Sequence, residues 1–276
     1  MTTISLKKIQ PYKVGKLIRL GRNNDGGYII PEVAIHHTHV LFGIGINDDW
    51  SFEEDFVRHV PSIKVIGVDG VAGVALLIRR SIIKLFQSIG SILTFNFLKA
   101  KERLIYSTKI PFFLCFFHKQ TFIRKMLFAR AKEGGCTLAY LFEHYAGAHF
   151  GHLSSEVPIF LKMDIEGGEY DVLLGSENLL VNVNCIVVEF HALGKNFDKF
   201  EEVVDLLKRD FVVAHVHANN CGPLISGTTV PDVLEITWLN LKLCSPDIVP
   251  QSLAYPVEGL DQPCSRTLPD HVLEFI

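Results

Sequence analysis

The chain has 276 residues, of which 48% are hydrophobic, and it carries a formal net charge of −3. This length suffices for one large α/β domain or two small ones with a substantial core. The slightly negative charge argues against a protein that binds nucleic acid by neutralising phosphates, so we expect no nucleic-acid partner. The six cysteines show no CxxC spacing and the N-terminal residues show no signal-peptide pattern, which favours reduced thiols and a cytoplasmic location.

Residues 38–70 are predicted to form a strand, a helix and a second strand. THVLFGIG (38–45) is a short apolar run bounded by glycine, which is typical of a buried strand. NDDWSFEEDFVRHV (47–60) predicts a helix with an acidic start, and SIKVIGVDG (62–70) predicts the next strand, which ends at Asp69. Such a βαβ unit crosses over into a parallel sheet.

Residues 71–133 are rich in Phe, Ile and Leu, with scattered Arg and Lys, and their apolar positions recur at helical spacing. We predict a helical insertion within a single domain that covers 1–276. One interpretation is a pair of helices that packs on the core or on a partner subunit. The other is a membrane-surface helix or a lid over the substrate, because a basic amphipathic stretch can lie on anionic lipid.

The α/β pattern resumes after the insertion. CTLAYLFEHY (136–145) predicts a helix with Thr137 as its cap, and FDKFEEVVDLLKRD (197–210) predicts an amphipathic helix. Four further strands are predicted from IFLKMDIEG, NCIVVEFH, FVVAHVHA and VLEITWLN. No helix is predicted between the last two strands, so they should pair antiparallel at the end of a mostly parallel sheet.

Two glycines in the first strand-to-helix turn, Gly43 and Gly45, allow the backbone to approach a ligand. The GxGxxG pattern is incomplete and acidic residues follow Asn47, so a neutral or cationic nucleotide-like ligand fits better than NAD. Asp69, at the end of the next strand, can accept hydrogen bonds from both hydroxyls of a ribose. The alternative interpretation is a plain tight turn and a solvated aspartate.

Carboxylates crowd the end of the strand at IFLKMDIEG. Asp164 and Glu166 are candidates for a general base or for cation ligands, because nearby like charges raise a carboxyl pKa. Glu169 and Asp171 are expected to serve mainly the start of the following helix.

The next strand ends in Glu189 and His191, whose side chains point the same way because one residue separates them. Asp164 together with Glu189 or His191 is a candidate site for Mg²⁺ or another divalent cation. His191 is also a candidate to deprotonate a hydroxyl directly, since the usual pKa of histidine lies near working pH.

His215 and His217 share one face of the following strand, where two imidazoles can bind zinc. Hydrogen-bonded, partly buried histidines are the alternative, and His217 is the better catalytic candidate because it lies nearer the strand end. Two other functions stay open. One is a metal-dependent hydrolase that uses Asp164, Glu189, His215 and His217, and the other is a non-catalytic binding module on a degenerate fold.

Several segments together resemble the FkbM-type methyltransferases, a family with the class I S-adenosylmethionine-dependent fold. These segments are LFGIGINDDWSFE, VIGVDG, CTLAYLF, FLKMDIEGGEYDVLLG and IVVEFH. KMDIEGGEYDVL is the most specific, because it is similar to the K-D-EG-E signature of the family at Lys162, Asp164, Glu166, Gly167 and Glu169. The resemblance covers roughly 40–70 and 135–240, and it does not extend to 71–133.

The resemblance implies a Rossmann-like α/β fold with seven strands, S-adenosylmethionine as the methyl donor, and O-methylation of a small-molecule or sugar acceptor. Gly43 and Gly45 would then line the methionine end of the donor, and Asp69 would bind the ribose. Asp25 or Asn47 is a candidate to bind the amino group of the donor in place of the acid that the family often has. Asp164 would lie near the methyl group as a metal ligand or an acceptor-orienting group. The family often has an acid before the first glycines, where this chain has Phe42.

Overall fold

A computed structural model describes residues 5–146 and 157–276. The strands are β1 (Leu17–Leu20), β2 (Tyr28–Pro31), β3 (Val40–Ile44), β4 (Lys64–Val68), β5 (Thr121–Ile123), β6 (Met126–Leu127), β7 (Gly135–Cys136), β8 (Ile159–Met163), β9 (Val183–Phe190), β10 (Phe211–Ala218) and β11 (Leu234–Asn240). The α-helices are α1 (Glu32–His36), α2 (Ser51–His59), α3 (Val74–Leu93), α4 (Phe97–Ile105), α5 (Lys109–Lys119), α6 (Leu138–Leu141), α7 (Glu169–Leu174), α8 (Glu177–Leu180) and α9 (Leu193–Leu207).

The main sheet has seven strands in the order β5-β4-β3-β8-β9-β11-β10. Strands β5, β4, β3, β8 and β9 pair in parallel, whereas β11 pairs antiparallel with both β9 and β10. The predicted mostly parallel seven-stranded sheet with a C-terminal antiparallel hairpin is therefore confirmed. The antiparallel pairing follows from the helix-free link between β10 and β11, because a parallel pair needs a crossover.

Both faces of the central sheet are covered, which explains why its strands are continuous apolar runs. All residues of β8 and β11 are buried. Helices α7 and α9 contribute to the apolar cluster on one face, and the predicted stripe of α9 is buried there. Helix α2 and the β1–β2 hairpin contribute to the cluster on the other face, where Phe52 and Phe56 pack against Phe160.

Residues 71–133 differ from the prediction in two respects. They contain three helices, α3, α4 and α5, rather than a pair, and they are not helical to their end. Residues 121–123 form the edge strand β5, which is too short to show a recognisable period. None of the helices in the described part of the chain is both long and apolar enough to cross a bilayer.

Candidate active site

Polar residues form a row across the sheet at the carboxyl end of its parallel strands. Ile44 pairs with Val68 and with Met163, and Met163 pairs with Val188. The next residues of these strands therefore lie at one level, and they are Asp69, Gly45, Asp164 and Glu189. The row continues into the hairpin, where Glu189 faces Glu235 and Glu235 faces His217. Ligands of open α/β sheets bind at this edge.

A cavity of about 390 Å³ opens at this edge, between the turns that follow β3, β4 and β8. Its wall includes five of the predicted site residues, which are Gly45, Asn47, Asp69, Asp164 and Glu166. Val68, Met126, Leu127 and Phe128 supply an apolar part of the wall. The volume lies within the range of roughly 300–1,000 Å³ that is typical of small-molecule sites.

Gly45 is required by a close approach of two backbone segments. Its φ of +82° is unfavourable for other residues, and a Cβ there would lie 1.6 Å from the carbonyl oxygen of Asp164. The Gly45 N–H donates to the Val68 carbonyl at 2.9 Å, and the Asp164 N–H donates to the Ile44 carbonyl at 3.0 Å. The missing side chain thus lets the turns after β3 and β8 meet at the cavity.

Gly43 lies outside the cavity wall, so its predicted contact with the donor is not supported. A Cβ at Gly43 would lie 2.3 Å from Oε1 of Glu53 in helix α2. The carboxylate of Glu53 fills this space and lies 3.3 Å from Nζ of Lys162, and both side chains are almost fully buried. Gly43 therefore makes room for a buried ion pair rather than for a ligand.

The Asp69 carboxylate is fixed by backbone amides on both of its oxygens. Oδ2 accepts a hydrogen bond from the Asn47 N–H at 2.8 Å, and Oδ1 accepts from the N–H groups of Val71 and Ala72 at 2.7 Å. Oδ2 has a second lone pair, so Asp69 can accept a further hydrogen bond from a ligand in the cavity. The same bonds tie the turn after β3 to the turn after β4.

His191 is surrounded by carboxylates. Its Nδ1 lies 3.1 Å from Oε1 of Glu169, and its Nε2 lies 3.4 Å from Glu189, 3.6 Å from Glu166 and 3.8 Å from Asp164. Burial lowers the pKa of His191, but hydrogen bonds and charges from Glu169 and Glu189 outweigh it and raise that pKa to about 11. The imidazole is therefore a cation at neutral pH, and this arrangement does not support the predicted role of His191 as a general base.

The pKa of Asp164, unlike that of His191, lies near neutral pH. Burial and the charge of Glu189 outweigh the effects of Lys162 and His191 and raise the pKa of Asp164 to about 8. A carboxyl group with a pKa near the working pH is suited to accept a proton. Because Asp164 also lines the cavity, it is the better placed candidate for that role.

Glu169 does more than favour the start of helix α7. Its buried carboxylate accepts hydrogen bonds from the N–H groups of Ile165 and Gly167 at 2.9–3.1 Å, and it also contacts Nδ1 of His191. It thereby holds the loop in which Glu166 has a φ of +60° and turns the imidazole toward Asp164. Asp171, by contrast, is exposed and pairs with Lys199.

His217 lies in a second buried cluster, away from the cavity wall. Its Nδ1 and Nε2 lie 3.2 Å from carboxylate oxygens of Glu235 and Asp270, and the thiol of Cys264 donates to Glu235 at 3.3 Å. The side chain is only 3% exposed, because the C-terminal tail covers it. The predicted catalytic role of His217 is not supported, and the cluster serves to attach the tail to the hairpin.

The four residues of the hydrolase alternative are not brought together as a metal site. His215 pairs with Asp261 at 2.9 Å, and His217 pairs within the tail cluster. Within residues 5–146 and 157–276, the groups whose ligand atoms lie within 4.8 Å of one another are Asp164, Glu169 and His191, and His217, Glu235 and Cys264. Neither group combines the hydrolase set.

The tail cluster gives a stability prediction. Burial lowers the pKa of His217, but Glu235 and Asp270 outweigh it and raise that pKa to about 10 from the usual 6.5. The stabilisation is therefore complete below about pH 6.5 and is lost as the pH rises towards 10. We expect His217→Gln to lower the free energy of unfolding by about 3–5 kcal/mol at pH 6.

The measurement is denaturant unfolding of both proteins at several pH values. The difference between wild type and His217→Gln should narrow steadily from pH 6 to pH 10, whereas exposed His36→Gln should show no such trend. A difference that stays constant over this range would contradict a charged His217.

The seven-stranded sheet and the cavity at the carboxyl end of its parallel strands define an α/β domain with a Rossmann-like fold. Residues 136–215 match the family described as Methyltransferase FkbM domain, which confirms the resemblance over this range. The part of the chain that contains β8, β9 and the acidic turn is therefore similar to this family. No curated protein matches the chain.

Solved structures with a similar fold include methyltransferases. Precorrin-6y C5,15-methyltransferase from Geobacter metallireducens GS-15 is 10% identical, with 75% of this chain and 85% of that chain covered and a TM-score of 0.35. An uncharacterized protein from Listeria monocytogenes serotype 4b is 13% identical, with coverages of 80% and 68% and a TM-score of 0.35. A mutant 16S rRNA (adenine(1408)-N(1))-methyltransferase from Catenulisporales acidiphilia is 13% identical, with coverages of 83% and 99% and a TM-score of 0.29.

Proposed function

We propose that the protein is an S-adenosylmethionine-dependent O-methyltransferase that acts on a hydroxyl group of a small molecule or sugar. The observation that carries the proposal is the cavity at the strand ends, where Asp69 and Asp164 face one space. The match of residues 136–215 to the FkbM domain supports methyl transfer as the reaction class.

The cavity wall suits the nucleoside part of this donor. The apolar side chains of Val68, Met126 and Leu127 offer a surface for a purine ring, and Asp69 offers acceptors for ribose hydroxyls. Gly45 lets the turns after β3 and β8 meet at this wall. The donor supplies a methyl group on a positively charged sulfur, so the methyl group is already activated for transfer.

The residues of the chain align the acceptor and remove its proton. Asp164 accepts the hydroxyl proton, because its raised pKa and its position in the wall suit this step. Glu166 lies at the same wall and is the second candidate. Cationic His191 balances the neighbouring carboxylates and holds them in place. Alignment of the two reactants can lower the barrier by ~7–11 kcal/mol.

Asp69→Ala is expected to weaken binding of S-adenosylhomocysteine by about ten-fold or more, through the lost ribose hydrogen bonds and the loosened turn. Calorimetric titration measures this affinity, with exposed Asp171→Ala as the control that should bind like wild type. Equal affinities of wild type and Asp69→Ala would remove Asp69 from the site. The absence of any binding heat in wild type would favour the non-catalytic binding module.

We further propose that a divalent cation such as Mg²⁺ can bind to Asp164, Glu189 and His191 by replacing the proton on Nε2 of His191, because only a deprotonated imidazole is a ligand. In that state Glu166, the second candidate, would accept the hydroxyl proton. Glu189 and Asp164 both lie within 3.8 Å of Nε2 of His191, while Glu169 binds Nδ1 and orients the ring, as carboxylates do at metal-binding histidines. A bound cation would stabilise negative charge on the acceptor oxygen.

Titration with Mg²⁺ should give a binding signal in wild type that Glu189→Gln weakens by about ten-fold or more. Exposed Glu177→Gln is the matched control. Binding that is unaffected by Glu189→Gln would contradict this cation site.

The acidic cavity edge also bears on partners and location. Asp69 and Glu166 in the cavity wall and the nearby Glu189 would repel a phosphate backbone, which supports a small acceptor rather than nucleic acid. All six cysteines are free thiols, which supports the proposed cytoplasmic location.

A further inference from the structure

Helix α3 carries polar residues on its inner side and apolar residues on its outer side. Its buried residues are Leu77, Ser81, Ser88 and Ser91, and the Ser88 hydroxyl donates to the carbonyl oxygen of Ala100 in α4 at 3.1 Å. Ile82, Phe86 and Ile89 are each at least half exposed. A surface helix in water shows the reverse arrangement. Small and hydroxyl residues between helices, with apolar residues outside, are typical of helices in contact with lipid.

The connection between α3 and α4 extends this apolar surface. Leu93, Phe95 and Leu98 are 75–82% exposed, and Phe97 is 63% exposed. Of the 25 large apolar side chains that are exposed in the described residues, 15 lie within 74–119. Such a concentration exceeds the scattered apolar residues of an ordinary surface and marks an interaction site.

The segment that contains this surface has a net positive charge. Residues 71–133 contain 12 Lys or Arg residues and only 2 acidic residues, a net charge of +10. The whole chain has a net charge of −3, so the remaining residues carry −13. A partner for this segment has to offer an apolar region for the exposed side chains and negative charge for the Lys and Arg residues. The surface of an anionic bilayer offers both.

We propose that the α3–α4 hairpin docks the protein on an anionic lipid bilayer, with its apolar outer side in the headgroup region and its Lys and Arg side chains among the lipid phosphates. A second copy of the chain fits less well, because a two-fold interface would bring together two hairpins (74–105), each with 6 Lys or Arg residues and 1 acidic residue. RNA phosphates would contact the Lys and Arg side chains but would leave the apolar side chains exposed to water. No described helix can span a bilayer, so the hairpin lies at the surface.

The hairpin is firmly attached to the turn at the cavity. Arg80 forms an ion pair with Asp48 at 3.0 Å, Tyr106 donates to the same carboxylate, and Lys109 donates to the Asp48 carbonyl at 2.5 Å. Phe113 of α5 packs edge-on against Trp50. The docked hairpin therefore holds the cavity turn in a defined orientation to the bilayer.

The test is flotation of the full chain with vesicles of phosphatidylcholine, with and without phosphatidylserine, because aggregated protein does not float. We expect binding only to vesicles with phosphatidylserine, and loss of binding at high salt. Phe95→Ser with Phe97→Ser should reduce the bound fraction at least about ten-fold. The matched control, Leu253→Ser with Val272→Ser, changes exposed apolar residues outside the hairpin and should bind like wild type.

Charge reversal completes the test. Lys99→Glu with Lys101→Glu should abolish binding, whereas Lys13→Glu with Lys195→Glu should not. Absence of wild-type flotation would overturn the proposal. Loss of binding on charge reversal with no effect of the phenylalanine substitutions would also overturn it, because the apolar side of the hairpin would then not enter the bilayer. Affinity for S-adenosylhomocysteine should be the same in all hairpin variants, so the result is independent of the proposed methyl transfer.

Discussion

Asp164→Asn is expected to lower kcat by about 10²–10⁴-fold, the usual contribution of a general base. The substitution keeps the size of the side chain but removes the group whose pKa of about 8 suits it to accept the acceptor proton. The measurement is release of S-adenosylhomocysteine with the hydroxyl acceptor that wild type methylates best in a panel of sugars and small hydroxylated molecules.

The matched control for this experiment is Asp171→Asn, in the same motif. Asp171 is exposed and pairs only with Lys199 at 2.7 Å, so this variant should retain wild-type kcat. Affinity of Asp164→Asn for S-adenosylhomocysteine should stay within about ten-fold of wild type, because Asp69 and the apolar wall provide the nucleoside contacts. An unimpaired kcat would contradict the role of Asp164, whereas loss of cofactor binding would show that the substitution disturbs the cavity itself.

The row of polar residues could be predicted because it follows from strand periodicity and topology alone. An apolar run that ends in an acid places that acid at the carboxyl edge of a parallel sheet, whatever the details of packing. Asp69, Asp164 and Glu189 were located in this way. The hairpin at the C-terminal end followed equally directly from the missing crossover helix.

The sequence did not reveal the buried partners of these residues. Glu53 lies in the acidic first turn of α2, where carboxylates are usually solvated, and only the structure shows it turned inward over Gly43. The role of Glu169 was missed for the same reason. The pKa of His191 could not be foreseen either, because it depends on carboxylates that come together from the loop after β8 and from β9.

His217 illustrates a different limit. Its strand position was predicted correctly, but the tail residues that cover it lie about fifty residues away and have no regular pattern. A signal was present in Asp261, Cys264 and Asp270, polar residues in an irregular segment, yet nothing in their spacing assigns them to one strand. Burial of a side chain by an irregular segment can be recognised only in the structure.

Lys162→Met is expected to lower the free energy of unfolding by about 3–5 kcal/mol, because it leaves the carboxylate of Glu53 buried without its partner. Glu53 is fully buried, Lys162 contacts its Oε1, and its Oε2 has no hydrogen-bond partner in the described part of the chain. Denaturant unfolding measures the loss. The control is Lys199→Met, which removes an exposed cation and should change the free energy of unfolding by less than about 1 kcal/mol.

The double variant Glu53→Met with Lys162→Met separates stability from function. Apolar residues of similar volume can replace a buried ion pair at little cost, so the double variant should recover most of the stability lost in Lys162→Met. Equal instability of the two variants would contradict the ion-pair explanation.

The positive charge of Lys162 also lowers the pKa of Asp164, so removal of Lys162 should shift the acidic limb of the pH–rate profile to higher pH. A stable double variant with that shift would mean that the lysine of the motif tunes the proton acceptor rather than the fold.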